Sequence, residues 1–164
     1  MSPAPAAGHP NATLIARFYA ALGRRDAEAM VACYHPKATF SDPVFTHLDA
    51  AGVAAMWRML CERGHDLAVE ASDIAADATS GHAHWVATYT YTATRRRVVN
   101  SIDAEFLFRD GLIYRHRDRF DLYGWLRQAL GIKGALLGWL PAVKRATRAQ
   151  AVKALAASRA RRAS

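Results

Sequence analysis

No acidic residue follows Asp121. Residues 122–164 carry nine Lys/Arg and no Asp or Glu, whereas residues 1–121 hold thirteen basic and all fourteen acidic side chains. The formal charge of +8 therefore belongs to the C-terminal end of an otherwise near-neutral chain, which argues against a general nucleic-acid binder. Cysteine is equally scarce. Cys33 and Cys61 both fall in helix-like segments, and they read as small buried hydrophobes in a reducing, cytoplasmic setting rather than as a disulfide. The start, MSPAPAAGHP, has neither the basic cluster nor the apolar run of a secretory leader. No Gly-rich phosphate loop is present. No metal-ligand spacing occurs either, because His82 and His84 stand two apart with no acidic or Cys partner near them. Neither a metal nor an organic cofactor is implied. The longest apolar stretch, Leu122 to Val143, is broken by four Gly, Pro141, Arg127 and Lys133, which counts against a membrane span.

What the chain does have is a core. Its 164 residues are 52% hydrophobic and include four Trp, enough for one domain and too apolar for disorder. Residues 1–9 are Pro/Ala-rich and are expected to be a flexible N-terminus. Leu14, Ile15, Phe18, Tyr19 and Leu22 then recur at helical spacing, with Asn11 or Thr13 available as the cap. Asp26 can cap a second, short helix with Met30, Val31, Cys33 and Tyr34 on its apolar side, stopped by His35-Pro36. A short strand is expected at Ala38–Asp42, with Ala38, Phe40 and Asp42 on one face. Asp49 caps a third helix striped by Val53, Met56, Trp57 and Leu60. Alternation then replaces helical spacing. Leu67–Ala75 reads as a strand, and Trp85, Ala87, Tyr89 and Tyr91 share one face of a longer one. Helices followed by a run of antiparallel strands predict an α+β fold over residues 10–121. Residues 122–164 read as a basic helical extension, with its last part a solvated tail. It suits a lid or a dimer-interface helix. An interfacial membrane helix anchored by Trp125 and Trp139 is the less favoured alternative.

The most informative stretch is VVNSIDAEFLFRDGLIYRHRDRFD, Val98 to Asp121. Asp110-Gly111 predicts a tight hairpin turn. Ile102, Ala104, Phe106 and Phe108 share one face of the first strand. Tyr114, His116, Asp118 and Phe120 share one face of the second, so a His and an Asp stand where Val or Ile is usual.

The segment RFYAALGRRDAEAMVACYHPKATFSDPVF, followed by a capped helix and strands ending in DGLIYRHRDRFD, resembles the NTF2-like superfamily. That resemblance covers about residues 10–121. It implies a cone, in which a curved sheet packed by three helices encloses an apolar pocket, and it implies a homodimer. The superfamily includes ketosteroid isomerases, SnoaL-type polyketide cyclases, scytalone dehydratase, limonene-epoxide hydrolase and non-catalytic binding proteins. ATFSDPV resembles the isomerase segment bearing the general base, which places that role on Asp42. The isomerase's two oxyanion donors correspond to Phe18 and Ala104, which cannot donate, while a shift of one residue would substitute Tyr19 or Asp103. HRDRFDL resembles the hydrolase and cyclase segment whose acid/base aspartate corresponds to Asp118. The hydrolase's supporting Arg and second Asp correspond to Tyr89 and Tyr91.

From the residues themselves, two carboxylates sharing an apolar pocket cannot both ionise cheaply, so one becomes a base and the other an acid. The candidate catalytic residues are Asp42, Asp118 and His116, with Asp118 tuned by His116. The candidate substrate contacts are Tyr89, Tyr91, Trp57, Phe18, Phe40, Phe106 and Phe120. Such a constellation suits cofactor-free isomerisation, cyclisation, dehydration or hydrolysis of a small apolar oxygenated molecule. Structural alternatives stay open for each residue: a turn at Asp42-Pro43, an ion pair for Asp118, a satisfied core position for His116. A non-catalytic binding or interaction module is the alternative function.

Overall fold

A computed structural model describes residues 8–164. Of the N-terminus expected to be flexible, residues 1–7 lie outside the described residues. His9 caps the first helix, α1 (Pro10–Gly23), by accepting the Asn11 N–H on its ring, and Pro10 takes the first helical turn. The cap is therefore His9, not Asn11 or Thr13. Asn11 instead donates its side-chain amide to the Asp77 carbonyl, tying α1 to a distant turn. Asp26 caps α2 (Ala27–Val31) and Asp49 caps α3 (Ala50–Arg63) through side-chain bonds to Ala29 N–H and Gly52 N–H.

Five strands form one sheet in the order β1-β5-β4-β3-β2. They are β1 (Tyr34–Ser41), β2 (Ala68–Ala76), β3 (Ser80–Tyr91), β4 (Arg96–Arg109) and β5 (Leu112–Arg119). The α+β class read from the sequence is the observed one, and β2 to β5 pair antiparallel. The first strand departs from that reading. β1 starts at Tyr34, not Ala38, and joins β5 in parallel at the sheet edge. His35-Pro36 therefore lies inside a strand instead of stopping a helix, and Cys33 and Tyr34 are not helical. Proline is tolerated there because an edge strand needs no donor on its open side, and the β1–β5 register shifts across it, between Tyr34 and Thr39.

The β4–β5 hairpin turns at Asp110 and Gly111, whose φ values of 54° and 72° are the pair of positive angles such a turn requires. β4 buries every second residue from Val98 to Phe108. On β5 the alternation breaks at a bulge, where Phe108 pairs with Ile113 and Leu107 with Arg115. Tyr114 is thereby expelled from the inner face; the Arg109 guanidinium lies over its ring and the His35 ring meets it edge-on. His116 and Asp118 keep the inner face, while Arg115, Arg117 and Arg119 are exposed on the other.

The C-terminal extension is folded against this body. It comprises α4 (Leu122–Leu130), α5 (Ile132–Leu137) and α6 (Pro141–Ala163). Gln128 of α4 bonds through its side chain to both the N–H and the C=O of Val99, at 2.7 and 3.0 Å. Leu155 and Ser158 of α6 are buried, and Arg148 donates to the Pro43 carbonyl at 2.9 Å. The solvated tail expected after Val143 is therefore a helix packed on α3. No described helix is long and apolar enough to cross a membrane.

Candidate active site

The inner face of the sheet, α3 and the extension enclose a cavity of about 340 Å³. Its wall combines Phe40 and Asp42 from the end of β1, Trp57 from α3, Tyr89 and Tyr91 from β3, and Asp118 and Phe120 from the last strand and its exit. Two of the aromatic residues named from the sequence stand elsewhere. Phe18 and Phe106 are fully buried behind the wall and pack edge-on or tilted against the His116 ring, at 5.6 and 4.5 Å between centroids. They shape the site without lining the cavity.

Asp42 sits just past β1, where one carboxylate oxygen, Oδ1, accepts the N–H groups of Val44 and Phe45 at 2.7 and 2.6 Å. The turn role and the cavity position are thus both real. Among the described residues Oδ2 has no hydrogen-bond partner. Burial pushes the Asp42 carboxyl up to about 7, against the pull of the two N–H groups, and the charge of Asp118 adds to the rise. A carboxyl with that value is half ionised near neutrality, the condition under which one group can both take and return a proton.

Asp118 is held differently. It is 4% exposed, and His116, 0% exposed on the same strand, sits with Nε2 at 2.9 Å from Asp118 Oδ1. The other ring nitrogen, Nδ1, lies 2.7 Å from the Tyr34 hydroxyl, which in turn accepts the Trp57 indole N–H at 3.0 Å. With Asp118 ionised, these contacts fix every proton in the chain. Trp57 can only donate, so the Tyr34 O–H donates to Nδ1 and the Nε2–H donates to Asp118. Burial raises the Tyr34 hydroxyl well above the usual phenol range, keeping it a neutral donor.

Tyr89 accepts the indole N–H of Trp125 at 2.7 Å, leaving its own O–H for a molecule in the cavity. Asn100 also lines the cavity, is buried, and has a side-chain amide with no partner among the described residues. Asn100 and Tyr34 are absent from the sequence-derived site. Asn100 had a signal, being the one amide in the inward series Val98, Asn100, Ile102, Ala104, Phe106. Tyr34 had none while the segment read as helical. Of the two residues that a one-residue shift would have substituted, Asp103 lies on the outer face, 2.8 Å from His84 Nδ1. Tyr19 is buried behind the wall with an unpartnered hydroxyl. No group of three His, Cys, Asp or Glu side chains suited to a metal ion occurs among the described residues.

Residues 15–116, well over half of the chain, match the SnoaL-like domain family. The chain belongs to that family, and through it to the NTF2-like superfamily. Solved structures resemble this SnoaL-like protein over most of their own length. A candidate polyketide cyclase from Xanthomonas campestris pv. campestris is 22% identical, with a TM-score of 0.60 over 73% of this chain and 96% of its own. An M. tuberculosis epoxide hydrolase of the limonene-epoxide-hydrolase-like type is 19% identical, with a TM-score of 0.60 over 80% and 96%. IdmH of Streptomyces antibioticus, also described as a candidate polyketide cyclase, is 23% identical, with a TM-score of 0.63 over 76% and 100%. At these identities the likeness is one of fold. Curated proteins give no match. The family match ends at residue 116, so α4, α5 and α6 lie outside it.

Proposed function

We propose that this SnoaL-like protein is a cofactor-free acid/base enzyme acting on a small, apolar, oxygenated molecule held in the cavity. The observation that carries the reading is the pairing of Asp42 and Asp118 in one largely apolar cavity, with the Asp42 carboxyl raised to about 7. In this reading Asp42 removes a proton from the carbon next to a carbonyl and returns it at a second position. Tyr89 and Asn100, neutral donors with free hydrogens, stabilise the oxygen on which charge develops. Asp118, oriented by His116, faces the same cavity, and it adds to the burial that raises the proton affinity of Asp42. Such proton transfer is the first step shared by isomerisation, aldol cyclisation and dehydration. Epoxide opening is less favoured, because neutral Tyr89 and Tyr91 stand where the hydrolase resemblance calls for Arg and Asp. A cytoplasmic homodimer belongs to the same reading, on the scarcity of cysteine and the family resemblance.

The test is deuterium incorporation. The full chain is incubated in D₂O with panels of steroid-like, polyketide-like and terpenoid ketones, and mass spectrometry follows exchange at the α-carbon. Exchange that Asp42→Asn abolishes is the expected result. Ligands that bind the cavity without any exchange would make the protein a binding module and overturn the proposal.

A further inference from the structure

Among the described residues, the α5 corner carries the most exposed large apolar side chains. Ile132 is 79% exposed, Leu136 66% and Trp139 63%, with Leu137 beside them. The corner is rigidly built. Gly131 turns it with φ at 63°, and a side chain at Gly134 would fall 2.0 Å from the Leu126 carbonyl, so α5 crosses α4 in close contact. Trp139 donates its indole N–H to the Leu136 carbonyl at 3.0 Å, fixing the ring at the end of the turn. Lys133, Lys144 and Arg145 lie within the same stretch, and none has a carboxylate within ion-pair distance among the described residues.

We propose that this corner docks on an anionic lipid surface, with Ile132, Leu136 and Trp139 entering the headgroup region and the three cations supplying the attraction. Charge complementarity selects this occupant. A self-complementary contact through the corner would bring Lys133, Lys144 and Arg145 of two copies together, in a segment with no acidic residue to offset them. A negatively charged bilayer instead rewards both an apolar, aromatic tip and unpaired cations. Of the two tryptophans that the sequence offered as anchors, only Trp139 is free, because Trp125 faces inward and bonds to Tyr89.

The docking stands apart from the proposed chemistry and is tested without substrate. The full chain is sedimented with vesicles of phosphatidylcholine alone and of phosphatidylcholine with phosphatidylglycerol, at low and raised salt. The expected result is binding to the anionic vesicles only, weakened by salt, with a blue shift in tryptophan fluorescence. The Leu136→Ser/Trp139→Ser variant should bind at least about tenfold more weakly while keeping its circular dichroism, since both side chains are exposed. Trp139→Phe should keep the binding and lose the shift. Equal sedimentation with both vesicle types overturns the proposal, as does unchanged binding by the double variant. So does a lipid-free dimer of the parent protein that the double variant dissociates, since the corner would then receive a second copy.

Discussion

The His116 Nε2 atom lies 2.9 Å from Asp118 Oδ1, with both residues on β5 and both side chains buried. Two positions along a strand is the spacing that puts neighbours on one face, so the strand itself presets the contact. Tyr34 and Trp57 then hold the far side of the ring. An imidazole bonded at both nitrogens cannot swing away from its carboxylate, and Asp118 is presented to the cavity in one orientation.

Loss of the Asp42 carboxyl should slow turnover by about a hundredfold or more, the scale of general acid/base catalysis, and loss of the Asp118 carboxyl should slow it less. Asp42→Asn and Asp118→Asn are to be compared by the α-carbon exchange rate. Asp42→Asn keeps an oxygen for the Val44 and Phe45 N–H groups, so its loss of rate reads the proton and not the turn.

Tyr34→Phe should destabilise the protein by on the order of 2–4 kcal/mol, because His116 Nδ1 and the Trp57 indole N–H both lose their buried partner. Urea unfolding measures the cost. A fall below about 0.5 kcal/mol would mean that the hydroxyl is replaced without loss.

Stability should fall as pH rises through 7, with Asp42 as the source. Its carboxyl is raised from the ordinary range to about 7 on folding, so the folded state holds that proton more tightly than the unfolded chain does. The advantage is complete below about pH 4 and is lost between there and 7. Asp42→Asn, which cannot ionise, should be more stable than the parent at pH 8, by at most on the order of 4 kcal/mol, and show no gain at pH 4. Thermal melts at the two pH values decide it.

Gln128→Ala should loosen α4 without unfolding the body, since that side chain alone bonds to both backbone groups of Val99. The expected result is faster amide exchange across Leu122–Leu130 and unchanged exchange in β4 and β5. A higher KM with unchanged kcat would accompany it, because Trp125 and Leu126 of α4 line the cavity.

Local rules fixed much of this protein before any long-range contact was considered. The Asp110-Gly111 turn, the Asp26 and Asp49 caps and the inward face of β4 follow from dihedral preference and side-chain period, which act within a few residues. The same period put His116 and Asp118 on one face. Other features needed the fold. Tyr34 meets His116 across 82 residues of sequence, through a parallel edge pairing that no local pattern announces. The bulge that expels Tyr114 belongs to the pairing of two strands and is invisible in either one alone. The proton affinity of Asp42 depends first on what buries it and then on a carboxyl group 76 positions further on. The extension shows the division most clearly. Its composition already gave helices, cations and two tryptophans. Only the packing of α4 and α6 on the body turned Trp125 inward and left Trp139 outside, because which side of a helix is buried depends on the surface it meets.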